Sequence, residues 1–576
     1  MACPFKAPQV ITLLGALGTL GATPLPLDVI GLYVTAASPV AGGTGYRVDD
    51  ILTLPGGVTL TVAKVGADAR VDEVVVTQPL MHACGPNEPV AAQSAEGSGA
   101  TFSLTWLAPT GYGTRQLTRC YSGPALTVQR SDTDAALPIG LLADGGLDTA
   151  ALDRFTVPAQ TLRGYATFDA GVTPRVSLWH DQGGGGNDAV QPDAQQRPTL
   201  TADRLHGNSR AVLFDAHGGA GDWDPANTFL TLPAGVALQA NHFTLAVIGA
   251  ATSVFAPAAF VAVGDIAGKN VGLEFGHYSA QPTACDGAGD NAYAAVVPTE
   301  TPAVIVCTAD AHGKVIDMLG TTSTAVGGND SPLSGGSLGL SGEGRSGLVN
   351  LTAAIIVPWP LDAATRAALG ASLQGSFGLT PPTQGVIVVL GDSHSDGSGA
   401  PFQQGWPHQM ITLLGRNDVQ LVNGARYGGR LATAIEQWKQ YAQPNLLASA
   451  AAHKIVILQG GYNDQLYGQS ANEIIATYQR GAVLAHMAGA KAVCVANVLR
   501  NAPAVTNHAI AQVNAALRQP LAGCDAVIDW ASVPAFNQQS GTYPPPLFAA
   551  DRVHLTAEGQ ARQARLAAEV IGPLLR

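Results

Sequence analysis

The stretch Val386-Ile-Val-Val-Leu-Gly-Asp-Ser-His-Ser395 sets the interpretation of the whole chain. Its apolar half predicts a buried strand that stops at Gly391, and Asp392 and Ser393 follow in a polar, glycine-rich loop. Ligands of an open α/β sheet bind beyond the carboxyl ends of its strands, which places Ser393 where a reactive group is expected. Gly-Asp-Ser is also ordinary turn chemistry, so this stretch alone fits either a catalytic site or a turn.

Three later segments each present a polar or glycine-rich tip: residues 419–429, 455–464 and 551–559. Between them, apolar strands alternate with helical segments, which predicts a parallel sheet covered by helices on both faces. The tips then meet at one edge of that sheet. In this order, the four blocks resemble those of the SGNH (GDSL-type) hydrolase family. The resemblance covers about residues 384–576 and implies an α/β hydrolase domain.

The resemblance assigns chemical roles to individual residues. A serine hydroxyl becomes a nucleophile when a base accepts its proton, and Ser393 and His554 take these parts. Asp551, three residues before His554, is expected to fix the tautomer of the imidazole. The developing oxyanion needs aimed donors, which the resemblance places at the backbone N–H groups of Ser393 and Gly428 and the side-chain amide of Asn463.

Structural alternatives remain for some of these positions. Gly428 and Gly429 could both simply permit a tight turn; the family's Asn-x-Gly-x-x-Gly register favours Gly428 as the oxyanion donor and leaves Gly429 open. Asn463 could cap a loop, and Asp464 could be a helix N-cap.

Two neighbouring side chains receive other interpretations. His394 lies beside the nucleophile but lacks a carboxylate at a useful spacing, so we expect a local structural role. Tyr462 stands where the family often has a smaller residue, and we expect it to bind substrate by shaping an acyl or sugar pocket.

Composition bounds the rest of the chain. Its 576 residues predict three or four domains. Only 12% of the residues are charged, and 68 are glycine, which favours β-rich modules with many turns. A net charge of −12 does not fit nucleic-acid binding. No apolar run reaches the length of a membrane span.

The seven cysteines form no C-x-x-C pair and, together with histidines, no metal-ligand spacing, so neither a metal nor a cofactor is expected. Their odd number suggests mostly reduced, buried thiols, although Cys285 and Cys307 could pair. The cysteines are Cys3, Cys84, Cys120, Cys285, Cys307, Cys494 and Cys524.

Residues 1–27 are expected to be a connector or attachment segment, extended at residues 24–27 because prolines alternate there. The apolar run at residues 10–22 faintly imitates a signal peptide. Only Lys6 precedes it as a basic residue, and glycine and threonine dilute it, so we do not expect cleavage.

Residues 28–109 read as a small β module of short strands between turns, with period-2 alternation at residues 101–106. The pieces Gly-Thr-Gly-Tyr46, Asp-Asp-Ile-Leu-Thr-Leu54 and Gly97-Ser-Gly-Ala-Thr-Phe-Ser-Leu-Thr-Trp106 resemble a module recurrent in bacteriophage tail and tail-fibre proteins.

Residues 110–377 remain β-rich. Their motif Ser177-Leu-Trp-His-Asp-Gln-Gly-Gly-Gly-Gly-Asn-Asp188, with neighbouring turns, resembles the concanavalin/laminin-G-like sandwich of the catalytic module of α-L-arabinofuranosidase B. The same fold occurs as an accessory module in phage proteins. Alternating strands fit a jelly-roll-like sandwich, and residues 360–373 predict a helix that bridges to the hydrolase domain.

A glycosidase needs two carboxylates that face each other across a cleft. No pair here matches the family's acid and nucleophile, and Asp181 and Asp188 are better interpreted as turn residues. Trp179 and Trp223 could stack on sugars, but core packing is the commoner role of tryptophan in a sandwich. We therefore expect a carbohydrate-binding or structural module. The available carboxylates are Asp169, Asp181, Asp188, Asp222, Asp224 and Glu274.

Together these features predict a serine esterase that removes O-acyl groups, above all O-acetyl, from a polysaccharide. The N-terminal module suggests a phage tail fibre or tailspike acting on a bacterial surface glycan, in the virion or outside the cell, with virion tail proteins or further copies of this chain as partners. Two alternatives stay open: a receptor-binding structural protein whose hydrolase domain only binds, and a secreted carbohydrate esterase or lipase unconnected with phage.

Overall fold

The computed structural model describes residues 24–576 except for several internal segments, of which nothing is said below. These are residues 83, 86–87, 157–172, 203–209, 215–227, 252–257, 266–269, 276–283, 288–291, 294–301, 319–320, 326–330, 341–348, 380–383, 401–404, 417, 437, 439–445, 447–448, 450, 499–503, 520–522 and 537–546.

A small β module follows a short first helix, α1 (Pro26–Ile30). Two antiparallel sheets, β5-β1-β7-β6 and β2-β3-β4, enclose one core that includes Val34, Leu60 and Phe102. The β-rich character predicted for this region is confirmed. The strands are β1 (Leu32–Thr44), β2 (Ile51–Thr53), β3 (Thr59–Val65), β4 (Val71–Gln78), β5 (Leu80–Met81), β6 (Val90–Ala91) and β7 (Ser98–Leu107).

The next region is one curled antiparallel sheet with two arms. Its strands are β8 (Thr110–Gly113), β9 (Leu126–Arg130), β10 (Ala136–Ile139), β11 (Pro174–Trp179), β12 (Ala189–Val190), β13 (Thr199–Ala202), β14 (Arg210–Phe214), β15 (Leu230–Gln239), β16 (Phe243–Ala251), β17 (Ala258–Gly264), β18 (Asn270–Phe275), β19 (Ala284–Gly287), β20 (Ala292–Tyr293), β21 (Ala303–Asp310), β22 (Gly313–Met318), β23 (Thr321–Ala325), β24 (Pro332–Leu338) and β25 (Val349–Val357); helix α2 spans Thr149–Thr156.

Both arms of this sheet start at β11, which also pairs with β9. One arm runs β13-β14-β25-β16-β21-β22-β23 and the other β12-β15-β24-β17-β18-β19-β20. Side chains from both arms, such as Val247 and Val263, belong to one buried cluster. The arms therefore face each other across a shared core, as the layers of a sandwich do.

Helix α3 (Ala363–Ser376) covers the outer face of the first arm. Its N-terminus is capped by Asp362, whose side chain accepts a hydrogen bond from the Thr365 N–H at 2.8 Å. Leu369 and Leu373 pack with Ile355 of β25, so this strand is buried on both faces. The helix predicted over residues 360–373 is thus present, and it is a layer of the sandwich region.

The expectation of an extended segment at residues 24–27 is wrong in part, because α1 begins at Pro26. Proline is tolerated in the first helical turn, where its missing N–H would have no intrahelical partner. Leu27 and Ile30 pack into the same cluster as α3, and the Leu27 N–H donates to the Leu117 carbonyl at 2.9 Å. The start of the described chain is therefore anchored on the sandwich.

The expectation of mostly reduced thiols is also wrong. Cys84 in the small module is disulfide-bonded to Cys120 in the sandwich region, and Cys494 to Cys524. Cys307 is disulfide-bonded too. The side chain of Cys285 lies outside the described residues, so its pairing with Cys307 stays a prediction. An odd number of cysteines does not show which of them the fold brings within bonding distance. The Cα atoms of Cys84 and Cys120 lie 5.3 Å apart, a distance that a disulfide can span.

The C-terminal region contains a five-stranded parallel sheet in the order β27-β26-β28-β29-β30. Alternate residues of the interior strand β26 face opposite sides: Val386 and Val388 belong to one core, Ile387 and Val389 to the other. Its strands are β26 (Gly385–Leu390), β27 (Val419–Asn423), β28 (His453–Leu458), β29 (Lys491–Ala496) and β30 (Ala526–Asp529). Its helices are α4 (Ser393–Asp396), α5 (Trp406–Leu414), α6 (Leu431–Glu436), α7 (Tyr462–Leu466), α8 (Ala471–Met487), α9 (Ala504–Leu517) and α10 (Ala557–Leu574).

Candidate active site

Ser393 lies at the first position of the short helix α4, just after strand β26 ends at Leu390. The helix begins there because Asp392 is its N-cap, and the Asp392 carboxylate accepts from the His394 N–H at 3.0 Å. N–H groups of a first helical turn lack intrahelical partners. The backbone N–H of Ser393 is therefore in a position where it could donate a hydrogen bond to an oxyanion. Gly391 is needed for the close approach of the chain, since an added Cβ would lie 2.6 Å from Gln459 Oε1.

Ser393, His554 and Asp551 form a continuous hydrogen-bonded chain. Ser393 Oγ lies 3.0 Å from His554 Nε2, and His554 Nδ1 lies 2.5 Å from Asp551 Oδ2. Ser393 is 4% exposed, whereas the Asp551 side chain is 47% exposed. The structure therefore brings together the hydroxyl, imidazole and carboxylate that the sequence singled out.

The Asp551 carboxylate is held in its charged form. Its second oxygen, Oδ1, accepts from the backbone N–H groups of Val553 at 2.9 Å and His554 at 3.0 Å. Burial raises the pKa of Asp551, but the hydrogen bonds from the His554 and Val553 N–H groups and the His554 side chain outweigh it. The pKa therefore lies below its ordinary value. An anionic partner at Nδ1 leaves Nε2 as the nitrogen that faces Ser393 Oγ.

Backbone geometry aims the histidine loop at the serine. Arg552, between the two loop residues of the triad, has a φ of 57°, in the left-handed region that few residues other than glycine adopt. On the facing loop, Gly399 has a φ of +89°, and an added Cβ there would lie 2.7 Å from His554 Cβ. The two loops are thus packed closely enough to fix the position of the imidazole.

The structure separates the two glycines left open by the sequence. The Gly429 N–H donates to the Arg426 carbonyl at 2.9 Å, so it already serves the turn. Gly428 has a φ of +66°, and a Cβ added there would meet nothing within 4 Å. Gly428 therefore borders open space, and its role as an oxyanion donor stays a prediction.

Asn463 lies in the first turn of α7 and reaches the same loop. Its Nδ2 donates to the Gly429 carbonyl at 2.7 Å. The next residue, Asp464, does not cap its own helix: its carboxylate accepts from the Leu431 N–H at 2.9 Å and the Ala432 N–H at 3.0 Å, at the start of α6. Asn463 thus binds the loop that carries Gly428, and Asp464 binds the helix that follows this loop.

The expectation that Tyr462 lines a substrate pocket is not met. Its side chain packs against Ile510 of α9 and is only 2% exposed, and its hydroxyl donates to Asn507 Oδ1 at 2.7 Å. A phenol is amphipathic, so it can be buried when its hydroxyl finds an acceptor. Tyr462 therefore holds α7 against α9.

His394 is buried beside the site, with its ring 6.1 Å from the His554 ring. Because the His554 imidazole is the one at hydrogen-bond distance from Ser393 Oγ, His394 fits the structural role that the sequence suggested.

A buried polar network below Ser393 was missed by sequence reasoning. Gln459 Oε1 accepts from the Asp392 N–H at 3.0 Å and from Ser395 Oγ at 2.8 Å, and Gln459 Nε2 donates to Asn497 Oδ1 at 2.9 Å. Asn423 Nδ2 donates to the Ser395 carbonyl at 2.9 Å. The sequence signal that could have revealed this network is a polar residue at or just after the end of a strand. Such a residue occurs at Gln459, Asn423 and Asn497.

In the sandwich region, Asp181 and Asp188 support a turn, as expected. Asp181 accepts from the N–H groups of Gly111, Gly183 and Asn187, and Asp188 Oδ1 accepts from the Asp181 N–H at 2.8 Å. Burial raises the pKa of Asp181 against the effect of the hydrogen bonds it accepts.

Trp179 is fully buried in the sandwich core, in keeping with the packing role. Asp169, Asp222, Asp224, Trp223 and the side chain of Glu274 lie outside the described residues.

A parallel sheet with a serine–histidine–carboxylate chain at its carboxyl edge defines the class of this domain as that of the serine hydrolases. Residues 389–562 match the GDSL-like Lipase/Acylhydrolase family. The C-terminal region is accordingly a GDSL/SGNH hydrolase domain.

Several solved structures are similar to parts of the chain. A member of the lipolytic G-D-S-L family from Veillonella parvula is 21% identical, covering 32% of this chain and 97% of that one (TM-score 0.27). A psychrotrophic esterase from a Pseudoalteromonas species is 16% identical, with 33% and 98% coverage (TM-score 0.26). An arabinofuranosidase complexed with arabinofuranosyl-alpha-1,2-xylobiose is 13% identical, with 46% and 62% coverage (TM-score 0.33). No curated protein matches the chain.

Proposed function

We propose that the chain is a serine esterase in which Ser393 is the nucleophile and His554 the base. Ser393 Oγ attacks the ester carbonyl while His554 Nε2 takes its proton, and Asp551 stabilises the imidazolium that forms. His554 then returns the proton to the leaving alcohol, and water releases the acyl group in the second half of the cycle. The observation that carries this proposal is the continuous Ser393–His554–Asp551 hydrogen-bonded chain.

The oxyanion would be held by three donors: the backbone N–H groups of Ser393 and Gly428 and the side-chain amide of Asn463. An amide NH₂ group carries two hydrogens. One of them occupies the Gly429 carbonyl and fixes the rotamer of Asn463, which leaves the second for the oxyanion. Removing one such donor typically lowers kcat about 10²–10³-fold.

The proposed substrate is an O-acylated, above all O-acetylated, polysaccharide. Ser393 is 4% exposed, so little of its surface is open to a reacting group, which favours a compact acyl group over a bulky one. The strand-rich region that precedes the hydrolase domain supplies a large surface on which a polymer could be held, and two sites on one polymer raise the effective concentration of each other.

For the setting, we propose a phage tail fibre or tailspike that acts on a bacterial surface glycan, because residues 43–54 and 97–106 resemble tail-protein modules. Virion tail proteins and further copies of this chain are the partners this setting would supply. In the described part of the chain, no helix is long and apolar enough to cross a membrane.

A second candidate, a secreted carbohydrate esterase unconnected with phage, is favoured by the disulfides. Disulfides form and persist mainly in oxidising compartments such as the periplasm and the exterior of the cell. The Cys84–Cys120 and Cys494–Cys524 bridges fit a protein that folds after export. Purified virions, probed with an antibody against this chain, separate the two settings: particle-bound protein supports the tailspike, and free protein in the medium supports the secreted enzyme.

The activity is tested by measuring acetate release from a panel of acetylated polysaccharides, with Ser393→Ala as the matched control. We expect catalytic release by the native chain and none above background by the variant. Tight binding of a glycan without release would instead support a domain that only binds.

A further inference from the structure

An exposed aromatic ring lies beside the candidate base. Tyr427 directly precedes Gly428, its side chain is 66% exposed, and its ring centroid lies 5.6 Å from that of His554. An exposed tyrosine at the mouth of a catalytic site is informative, because its face can take up a flat apolar surface while its hydroxyl remains in water.

The surroundings of this ring favour a sugar over an acyl chain. Acyl chains are bound in enclosed apolar cavities, since every methylene left in water forfeits about 0.8 kcal/mol. Tyr427 is instead open to solvent, and the space above the adjacent Gly428 contains no atom within 4 Å of an added Cβ. A pyranose ring offers an apolar C–H face for stacking and hydroxyl groups that stay hydrated at its rim, which suits an open platform.

We propose that Tyr427 is a substrate-positioning residue that stacks on the sugar ring bearing the ester. This inference rests on the proposed polysaccharide esterase activity and assigns the leaving alcohol side of the substrate to the Tyr427 face. The sugar hydroxyl released on acylation of Ser393 must receive its proton from His554, and Tyr427 lies next to that imidazole. Stacking there places the leaving oxygen within reach of the proton donor.

Tyr467 offers a matched control. It is also an exposed tyrosine, 72% accessible, and it follows Asn463 at the end of α7. One face of its ring is covered by the guanidinium of Arg430, whose Cζ lies 4.9 Å from the ring centroid. Tyr467 is therefore similar in chemistry and exposure but has a ring face already occupied by the protein.

The test compares kcat and KM of the full chain and of Tyr427→Ala, Tyr427→Phe and Tyr467→Ala on p-nitrophenyl acetate and on an acetylated polysaccharide. For Tyr427→Ala we expect KM for the polysaccharide to rise about fivefold more than KM for the small ester, in line with about 1 kcal/mol for an aromatic contact. Tyr427→Phe should keep the wild-type ratio, because stacking needs the ring and not the hydroxyl. Tyr467→Ala should change the ratio less than Tyr427→Ala does.

Three other results would contradict the inference, and each would point to a different explanation. Equal losses on both substrates for Tyr427→Ala would mean that the ring only supports His554. An unchanged polysaccharide KM would mean that no sugar stacks there. A native chain that hydrolyses p-nitrophenyl acetate but releases no acetate from any glycan would overturn the proposed substrate itself, and this inference with it.

Discussion

Asp464 Oδ2 accepts a hydrogen bond from the backbone N–H of Leu431 at 2.9 Å, although the two residues are 33 positions apart. The contact joins the segment that carries Asn463 to the segment that carries Gly428. Two candidate oxyanion donors, supplied by different strand ends, are thereby held in one rigid unit. A carboxylate that accepts from two N–H groups at the start of α6 also stabilises that helix through its dipole.

We predict that Asp464→Ala lowers both stability and turnover. Two buried N–H groups would lose their acceptor, at a cost of about 1–3 kcal/mol in the free energy of unfolding. The displaced Gly428 loop should lower kcat more than it raises KM for p-nitrophenyl acetate. Asp464→Asn keeps one acceptor oxygen, so its stability and its kcat should lie between those of Asp464→Ala and those of the native chain. Normal kcat in a destabilised Asp464→Ala protein would show that the residue serves the fold alone.

We predict that His554→Ala is nearly as damaging as loss of the nucleophile, since among the described residues no other base lies at hydrogen-bond distance from Ser393 Oγ. Asp551→Asn should be harmful to a smaller degree, because the backbone N–H groups it binds can still be satisfied by its remaining oxygen. Steady-state kinetics on p-nitrophenyl acetate, with circular dichroism as the folding control, checks both. A His554→Ala enzyme of near-native rate would remove His554 as the base.

The Asp551 carboxyl should contribute no step to the pH profile of kcat/KM near neutral pH, because its pKa is lowered below the ordinary value of about 4 and it is already ionised there. By linkage, its stabilising effect is present above the unfolded pKa and is lost as the pH falls through the folded pKa. The measurement compares the pH profiles of the native chain and of Asp551→Asn under chemistry-limited conditions. A step near neutral pH that is present in the native profile and absent from that of the variant would contradict this prediction.

The left-handed backbone of Arg552 predicts an unusual order of substitutions. A β-branched residue cannot adopt this conformation without strain, so Arg552→Val should destabilise the protein by about 1–2 kcal/mol and loosen His554. Arg552→Gly should be close to neutral, because relief of strain offsets the greater freedom of glycine in the unfolded chain. Chemical denaturation of the two variants measures the difference, and a valine variant as stable as the glycine variant would refute it.

The Cys84–Cys120 bridge closes a loop with a sequence separation of 36 between the small module and the sandwich. We expect the double variant Cys84→Ser/Cys120→Ser to lose about 2–4 kcal/mol of stability in these regions. Thermal unfolding should shift down in the variant, and reductant, which also opens the Cys494–Cys524 bridge, should shift the native chain at least as far. Free thiols at both positions in the unreduced native protein, measured by alkylation and peptide mapping, would contradict the bridge.

The sequence was most informative for candidate catalytic residues that lie at the ends of strands. Apolar runs such as residues 386–390 predict their own strands, and the residue after each run then has a predictable position at the sheet edge. Strand ends placed Ser393, Gly428 and Asn463 at one edge of the sheet, and the resemblance to the SGNH family added His554 and the chemical role of each residue.

Contacts between distant segments were much harder to predict. Gln459 is an unremarkable polar residue until β28 and β26 pair and bring it below Ser395. Asp464 was a candidate helix N-cap, but the sequence did not show that the helix whose N–H groups it accepts from is α6. Tyr462 was interpreted as a pocket residue because the family often has a smaller residue there, and nothing local in the sequence showed that its hydroxyl donates to Asn507 on another helix. Periodicity and spacing report local structure, and each of these side chains is defined by a partner tens of residues away.

The central claim is that Ser393 carries out nucleophilic attack, and kcat of Ser393→Ala on p-nitrophenyl acetate tests it most directly. Circular dichroism and thermal unfolding should show an intact fold, because the substitution removes a single oxygen at a helix start. We predict a loss of about 10³-fold or more, down to the residual rate that oxyanion donors and binding provide without a nucleophile. A folded Ser393→Ala protein that retains near-native turnover would contradict the account.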